Sequence, residues 1–451
     1  RFERNEGREA NLEICITFGF NVFSSRDCDS QMAEMSVLLQ NCVIFDPYSS
    51  HHNKKADILL ERGIIQKIGN RLSGKQVFDL TGSIVSTGWV DMHANFCDPG
   101  FEHKEDLTSG ALVASSGGFV AVCLMPNTLP VTETKGDIEY ILSKSGNPVD
   151  ILPIGALSES NAGEHMTEML DIHAAGAIAF SDGMKPIYNA ELLLKSLQYI
   201  QKIGGLVISR PTDIHLSKHA QMHEGKASTL LGMRGEPVLS EKIQISSQLD
   251  ILRYAGGRLH FTMVSSDEGV RLIKLAKKEG LHVTCDVGVN HLYFTDEDVE
   301  GFDTRYKIDP PFRSERDRKA LLAGVNDGTI DAIVSGHQPQ DRESKYLEFD
   351  LAEPGVISLQ TAFSVINALS KELNLEKAFE ALTAGPRRIL GLQPMKIEEG
   401  MPAVLSVFDP RTEWVLSDKT NLSKSRNSPF WGRPLKGRSR GIINGAKIQV
   451  K

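Results

Sequence analysis

One pattern constrains the fold more than any other: between residues 87 and 394 a short apolar run is followed by a longer amphipathic one, about eight times over. FVAVCLM at 119–125 and RLHFTMVS at 258–265 have the content of buried strands, whereas EGVRLIKLAKKEG at 268–280 has helical periodicity. Strands joined through helices run parallel, because each crossover returns the chain to the same end of the sheet. We therefore predict an α/β fold in which residues 87–394 form a (β/α)8 barrel with functional side chains at the carboxyl ends of its strands.

The two ends of the chain contain short β-type runs separated by turn residues. SVLLQNCVIF at 36–45 lies on the amino-terminal side, and AVLSVFD at 403–409 and GIINGAKIQV at 441–450 lie on the carboxyl-terminal side. Within the last run, Asn444-Gly445 is a strong signal for a two-residue hairpin turn. We predict that residues 36–86 and 395–451 combine into one small β-sandwich domain.

Residues 1–31 are interpreted as an extension outside this fold. Met32 and Met35 stand immediately before the first well-patterned strand, and either is a candidate start of the native chain. The apolar run ICITFGFNVF at 14–23 is too short for the ~20 residues of a membrane span and is not followed by a small-x-small cleavage site. We expect neither secretion nor membrane association.

Net charge and cysteine spacing limit the kinds of partner and cofactor that the protein can have. Lys and Arg number 50 against 58 Asp and Glu, a net charge of −8 without a block of positive residues, so no nucleic-acid surface is expected. The cysteines form no C-x-x-C pair, which argues against a disulfide framework or a thiolate zinc site and favours reduced thiols in a cytoplasmic protein. They are Cys15, Cys28, Cys42, Cys97, Cys123 and Cys285.

Histidines are the first candidates for chemistry. The first predicted barrel strand ends in VDMHANFCDPG at 90–100, where His93 and Asn95 share a face of the strand and converge on one point. Two histidines so placed commonly hold a metal, but here the second is an amide, and a lone histidine is more often structural. His215, His219 and His223 are spaced by four, which we interpret as an exposed polar helix face in preference to a relocated zinc site.

The ordered motifs of the chain resemble the dihydroorotase family of the amidohydrolase superfamily. The run at 90–100 is similar to that family's D-M-H-x-H-x-R-x-P-G, and MPNT at 125–128 and IDPPFR at 308–313 follow in the family's order. The resemblance extends over nearly all of residues 36–451. It implies a metal-dependent-hydrolase (β/α)8 barrel, in which zinc polarises a cyclic amide and activates water while a strand-end aspartate transfers the proton.

The chain departs from this family at the positions that the resemblance assigns to zinc. His93 and Asp182 match the first histidine and the bridging carboxylate, but Asn95, Arg210 and Met263 replace the other three histidines. An amide is a weak zinc ligand, a thioether is too soft, and a guanidinium cannot lose its proton to coordinate. We expect no metal cofactor, whereas an active enzyme would require zinc.

The positions implied to contact substrate are altered as well. Gly336 stands at the proton-shuttle aspartate, and Cys97 at the arginine that grips a carboxylate. Asp309 replaces an asparagine, whereas Asn127 and His337 are retained. By resemblance these residues outline a vestigial substrate pocket, and no catalytic residue is expected in it.

Arg210 is expected to replace the charge of the metal. A guanidinium at the end of a barrel strand points towards the mouth, where Asp182 would otherwise be a buried carboxylate without a partner. We therefore predict an ion pair between Arg210 and Asp182.

Three functions are compatible with these residues. The favoured one is a non-catalytic dihydroorotase-like protein of pyrimidine biosynthesis, a structural or regulatory subunit whose partner, by resemblance, is aspartate carbamoyltransferase. The alternatives are an active cyclic amidohydrolase with a reduced metal site at His93 and Asp182, and a metal-free small-molecule sensor using Asn127 and His337. We also expect a homo-oligomer.

Overall fold

The computed structural model describes residues 36–146 and 148–451, so the interpretation of residues 1–31 lies outside the described chain. The strands, in chain order, are β1 (Ser36–Ile44), β2 (Lys55–Glu61), β3 (Ile64–Gly69), β4 (Gln76–Asp79), β5 (Ile84–Thr87), β6 (Trp89–Ala94), β7 (Phe119–Leu124), β8 (Asp150–Ala156), β9 (Ala179–Ser181), β10 (Val207–Ser209), β11 (Met222–His223), β12 (Gly235–Glu236), β13 (Leu259–Phe261), β14 (Val283–Gly288), β15 (Ala332–Val334), β16 (Val404–Val415), β17 (Pro434–Asn444) and β18 (Lys447–Val450). The α-helices are α1 (Leu107–Gly117), α2 (Lys135–Ser143), α3 (Met169–Ala175), α4 (Ala190–Ile200), α5 (Lys226–Leu231), α6 (Val238–Ala255), α7 (Asp267–Lys278), α8 (Glu315–Asp327), α9 (Arg342–Lys345), α10 (Ala362–Ala368), α11 (Leu375–Glu380) and α12 (Ala384–Leu390).

Eight parallel strands form the barrel, in the order β15-β14-β13-β10-β9-β8-β7-β6. Every residue of β6 and β7 is buried, as expected for strands that are covered by helices on one side and by the barrel interior on the other. Side-chain caps begin the helices: Asp106 accepts a hydrogen bond from the Ser109 amide at α1, and Ser266 accepts one from Gly269 at α7. The predicted (β/α)8 barrel is confirmed.

The barrel closes where β15 meets β6. Ala94 pairs with His337 in parallel register, and the Asn95 amide donates to the His337 carbonyl at 2.9 Å. Below this bridge the buried Asp91 carboxylate accepts hydrogen bonds from the amide and the hydroxyl of Ser335. These contacts bring the carboxyl ends of the first and last strands to the same rim.

Both chain ends contribute to a second sheet of eight strands, ordered β18-β17-β16-β5-β1-β2-β3, with β4 parallel to β1. Asn444 pairs with Lys447, so the two turn residues are Gly445 and Ala446, one position later than the Asn444-Gly445 turn that the sequence suggested. Gly445 has φ of 64°, a conformation that glycine adopts without strain. The domain boundaries 36–86, 87–394 and 395–451 stay a prediction.

The sheet from the chain ends contacts the barrel through a buried aromatic cluster. The Trp89 ring, at the start of β6, lies 4.3 Å from the Phe408 ring of β16 and 5.4 Å from Phe379, and Phe363 stacks on Phe408 at 4.4 Å. The Ser406 hydroxyl donates to the Gly118 carbonyl at 2.6 Å and accepts from the Trp89 amide at 3.0 Å.

The segment from 210 to 223 does not form the helix that the spacing of its histidines suggested. His215 and His219 lie in turns and His223 lies on the short strand β11, so the histidines do not share a helix face. His223 is buried, and its Nδ1 is 3.4 Å from Nη1 of Arg313. The spacing of four was misleading because residues 221–223 form hydrogen bonds with a distant segment: the Gln221 amide donates to the Arg234 carbonyl, and β11 pairs with β12. None of the helices in the described ranges has the length and apolar content of a membrane span.

Ser406→Ala is expected to lower the free energy of unfolding by about 2 kcal/mol, because it leaves two buried backbone groups without partners. Ser86, its register neighbour on β5, is the matched control, since its equally buried hydroxyl donates only to the adjacent Thr87 carbonyl. Urea denaturation of the two variants measures the difference. An equal loss of unfolding free energy in the two variants would show that the hydrogen bonds of Ser406 to Gly118 and Trp89 add no stability beyond that of an ordinary buried hydroxyl.

Candidate functional site

The predicted site residues come together at the carboxyl ends of the barrel strands. His93 belongs to β6, and Asp182, Arg210, Met263 and Gly336 each follow within two residues of the end of β9, β10, β13 or β15. Parallel strands end at one rim, so residues far apart in sequence become neighbours here. The rim is therefore the candidate functional site.

A buried polar network lines the barrel beneath the rim. His260 contacts Thr284 through Nδ1 and Asp286 through Nε2, both at 2.8 Å, and Asp286 also accepts from the Met263 amide at 2.7 Å. His93 Nδ1 lies 2.8 Å from the Thr262 hydroxyl. All of these side chains have partners, as buried polar groups require.

His93 is held as a neutral imidazole. Burial, opposed by Asp286 and reinforced by the nearby Arg210 guanidinium, lowers the pKa of His93 to about 4. A neutral ring retains a lone pair, so His93 by itself has the chemistry of a metal ligand.

Arg210 pairs with Asp309 and not with Asp182, which corrects the sequence prediction. Its Nη2 contacts Asp309 Oδ1, and its Nη1 donates to the Met184 carbonyl at 2.6 Å. No ion pair joins Arg210 to Asp182 among the residues that the structure describes. The Arg210 side chain is 7% exposed and that of Asp309 29%, so the cation is the more deeply buried partner.

Asp182 is satisfied by neutral donors. The Ser158 amide donates to Oδ1 at 2.7 Å and the Ser158 hydroxyl to Oδ2 at 2.6 Å. Burial raises the pKa of Asp182, and these two hydrogen bonds oppose that shift. The loop that follows β8 thus supplies the partner that the sequence analysis assigned to Arg210.

Met263 and Gly336 fit each other sterically. A Cβ at Gly336 would lie 2.9 Å from Met263 Cε and 3.2 Å from its Sδ, and a Cβ at Gly288 would meet the same two atoms at 2.9 and 3.1 Å. The thioether therefore fills the space between two glycines. An aspartate at 336, the residue that the family resemblance implies, would displace the end of the Met263 side chain and would have to adopt the φ of 60° that Gly336 has here.

Asn127 and Asn95 make hydrogen bonds to the backbone of the rim. Asn127 Oδ1 accepts from the Met184 amide at 3.1 Å, and its amide occupies the space that a Cβ at Gly183 would enter. Asn95 Nδ2 lies 3.5 Å from the His337 carbonyl. Both side chains stabilise the local chain path.

His337 is fully buried behind the rim. Its Nδ1 accepts a hydrogen bond from the Ser358 amide at 3.1 Å, which leaves Nε2 as the protonated nitrogen of a neutral ring. Nε2 is 3.8 Å from Oε2 of Glu105, a carboxylate with no solvent exposure that also binds the Ser423 hydroxyl. The Glu105 pKa lies below its usual value: burial opposes this shift, while His337 and the serine hydroxyls produce it.

A cavity of about 420 Å³ opens beside Arg210 and Asp309, and these are the only predicted site residues that line it. Cys97 lies elsewhere and is half-buried, with φ of 60°. Burial raises the pKa of its thiol to about 12, so it is not a reactive thiolate at neutral pH.

The residues at the rim do not fit zinc. Within 36–146 and 148–451, no three His, Cys, Asp or Glu side chains are arranged to hold a metal ion. Arg210 places a permanent positive charge near His93, and Met263 and Asn95 present a thioether and an amide where resemblance implies imidazoles.

Several residues of the site escaped the sequence analysis. His260 and Thr262 on one side, and Thr284 and Asp286 on the other, alternate with apolar residues, and this period of two was a readable signal for side chains inside the barrel. Ser158 and Glu105 carried no such signal, because they lie in loops whose path only the folded chain defines.

Asp309→Ala is expected to cost about 3 kcal/mol of unfolding free energy, because it leaves the buried Arg210 cation unpaired. Arg210→Ala should cost less, since Asp309 is partly hydrated, and the double variant should recover part of the larger loss. Asp418→Ala, in an ion pair with both side chains more than 60% exposed, is the control and should have almost no effect. Additive losses in this double-mutant cycle would contradict the coupling.

Comparison with known proteins identifies the family. The family described as dihydro-orotase-like matches residues 82–269. A dihydroorotase from Citrifermentans bemidjiense is 36% identical over 412 residues, covering 90% of this chain and 97% of its own, and one from Caldicellulosiruptor saccharolyticus is 36% identical over 426 residues, covering 92% and 98%.

Solved structures agree on the fold. L-hydantoinase (dihydropyrimidinase) from Arthrobacter aurescens superposes with a TM-score of 0.78 at 24% identity, covering 92% of this chain and 98% of that one. D-hydantoinase from Thermus sp. gives 0.76 at 22%, with coverage of 92% and 95%. The match to both dihydroorotase relatives covers nearly their whole length at 36% identity. The chain therefore belongs to the dihydroorotase family.

Proposed function

We propose that this chain is a non-catalytic member of the dihydroorotase family, which acts as a structural or regulatory subunit in pyrimidine biosynthesis. The Arg210–Asp309 pair carries the proposal. It holds a buried guanidinium, bonded to Asp309 and to the Met184 carbonyl, near enough to His93 to lower the pKa of that imidazole, and it does so at a position where the family resemblance implies a zinc-binding histidine. A guanidinium and a divalent cation in the same space repel each other, and neither is easily hydrated there.

The other replacements support the same function. Met263 occupies the space beside Gly336, so the position that the resemblance assigns to the general acid-base group holds no carboxylate, and one introduced there would have to displace the Met263 side chain. Asp182 is saturated by Ser158. Retained chemistry would require several of these contacts to be broken at once.

Metal content and turnover test this proposal directly. We expect the purified protein to retain far less than one zinc per chain and to hydrolyse dihydroorotate at least ~10⁴-fold more slowly than the Citrifermentans bemidjiense dihydroorotase, because loss of a general acid-base group alone costs ~10²–10⁴ and loss of the activated water costs more. Zinc at one equivalent, with turnover abolished by His93→Ala, would establish the alternative, an active amidohydrolase with a reduced metal site.

Restoring the family's residues provides the matched positive control. The variant combines Asn95→His, Arg210→His, Met263→His, Gly336→Asp and Asp309→Asn, and we expect it to retain zinc through gel filtration. Gly336→Asp alone should instead lower the melting temperature, since the new Cβ would lie against the Met263 thioether and the aspartate would have to adopt a φ of 60°. A fully stable Gly336→Asp variant would contradict the steric argument.

The partner proposed for the subunit is aspartate carbamoyltransferase. Mixed at micromolar concentration with the aspartate carbamoyltransferase of the same cell, this chain is expected to co-elute in a single larger species on gel filtration. The Arthrobacter aurescens L-hydantoinase, which shares the fold, is the control and should elute separately. If this chain and aspartate carbamoyltransferase elute as two separate peaks, this partner is excluded. The proposal that the chain is non-catalytic would be unaffected.

A further inference from the structure

A cavity of about 960 Å³ lies beside the loops that follow β14 and β15, and we call it the Tyr346 cavity. Its lining residues come from three segments that are remote in sequence: 302–305, 340–348 and 424–427. The positions that the resemblance assigns to zinc, all of them within the described chain, are not among these residues. Small-molecule sites in proteins enclose ~300–1,000 Å³, so this cavity has the size of a site for a large metabolite.

The floor of the cavity is rigid, because its buried polar side chains already have partners within the chain. Gln340 accepts a hydrogen bond from the Lys104 ammonium at 2.7 Å and donates to the Pro354 carbonyl at 2.8 Å. Asn427 donates to the Gln338 carbonyl at 2.9 Å and accepts from the Gln340 amide at 3.1 Å. A molecule in the cavity would therefore meet a preorganised surface and would bind through the side chains above this floor.

A buried cation lines the cavity without a carboxylate partner in the described chain. Lys345 is 8% exposed, and its ammonium donates to the carbonyls of Glu353 at 2.8 Å, Gly355 at 3.2 Å and Lys307 at 3.3 Å. Burial lowers the pKa of Lys345 to about 7, the Lys307 charge acts in the same direction, and Asp303 and Glu353 oppose the shift. An anion in the cavity would stabilise this ammonium, because an opposite charge nearby favours the charged form.

Two guanidinium groups line the same cavity from different segments. Arg342 forms no ion pair with any residue that the structure describes, and its guanidinium lies over the Tyr346 ring at 5.6 Å from the ring centre. Arg426 pairs with Asp418 at 2.8 Å, but both side chains are more than 60% exposed, so this pair contributes little and exchanges easily. Two such guanidiniums suit a ligand with several negative charges, such as a chain of phosphates.

The acidic side chains of the walls do not cancel this positive charge. Asp303 is paired with Arg305 at 2.6 Å, and Asp341 caps helix α9 by accepting from a backbone amide at 2.9 Å. Glu348 is exposed and has no cation partner among the described residues. Lys424 is paired at 2.5 Å with a carboxylate outside the walls. The walls hold five Lys and Arg side chains against three Asp and Glu, which favours an anion.

Exposed apolar side chains lie next to these cations. Tyr346 is 81% exposed, and Phe302 and Leu347 are 44% and 46% exposed. The Arg342 guanidinium covers one face of the Tyr346 ring, and the high exposure of this side chain leaves the other face open to a planar group. Nucleobases stack on such rings whatever their identity, because every base has a π-face. A ligand that carries both phosphates and a base would use both parts of the cavity.

From this combination we propose that the Tyr346 cavity binds a nucleoside polyphosphate. The base stacks on the open face of Tyr346, and the phosphates bind Arg342 and Arg426 above the Lys345 ammonium. A free phosphate chain makes only the ionic contacts and a nucleoside only the stacking contact, so either part alone binds more weakly. The inference does not rest on the proposed function, since it requires neither the absence of zinc nor a partner protein.

Isothermal titration calorimetry of the full chain with ATP tests the site, and adenosine and inorganic tripolyphosphate probe its two parts. We expect ATP to bind with a Kd below ~100 μM and each of the other two compounds to bind at least ~10-fold more weakly. Raising the salt concentration should weaken the binding of ATP and of tripolyphosphate, because it screens the guanidinium charges. The absence of ATP binding at ~1 mM, or tripolyphosphate binding as tight as that of ATP, would overturn the proposal.

Two variants with matched controls locate the ligand. Tyr346→Ala and Arg342→Ala should each weaken ATP binding at least ~10-fold, and only Arg342→Ala should also weaken tripolyphosphate binding. Tyr48→Ala and Arg316→Ala remove exposed side chains of the same types outside the cavity, 53% and 79% exposed respectively, and should leave ATP binding unchanged. Unchanged ATP binding in Tyr346→Ala, or equal losses in the variants and their controls, would refute the site. All four side chains are exposed, so thermal melting should be nearly the same for every variant.

Discussion

Closure of the barrel between β6 and β15 is the constraint on which the rest of the structure depends. A parallel bridge between Ala94 and His337 joins the first and last strands at the rim, and Ser335 donates twice to the buried Asp91 carboxylate just below it. Burial raises the pKa of Asp91 to about 7, and the Ser335 hydrogen bonds limit that rise. Because these strands meet, the ends of all eight strands form one rim, and the residues there become neighbours.

The two charged side chains Arg210 and Asp182 at that rim each have a partner within the chain. Arg210 is nearly excluded from water, and its charge is compensated by Asp309 and by the Met184 carbonyl. Asp182 is compensated separately by Ser158. A buried charge without a partner costs several kcal/mol, so a set of replacements is tolerated only when each charge finds a new partner. At this rim Arg210 has Asp309 as its partner, and Asp182 has Ser158.

The rim of the barrel and its outer helices are separate surfaces. The rim carries the positions at which the family resemblance implies metal ligands and an acid-base group, whereas the outer helices cover the strands from the side. A barrel keeps its stability in the strands and their buried side chains, so rim loops and outer helix faces change with little cost to the core. This separation is why a fold can retain interfaces after its chemistry has changed.

The sequence by itself determined the fold class, because the periodicity of apolar residues is a local property that survives in any context. It also determined which side chains could coordinate a metal or transfer a proton, since Arg210, Met263 and Gly336 have the same chemistry wherever they lie. The partners of these residues were decided only by the tertiary structure. The sequence analysis assigned Asp182 to Arg210, but in the folded chain Ser158, in the loop after β8, donates to Asp182, and Arg210 pairs with Asp309. Likewise, the spacing of His215, His219 and His223 suggested a helix that the chain does not form, because hydrogen bonds to distant segments outweigh local periodicity in an irregular loop.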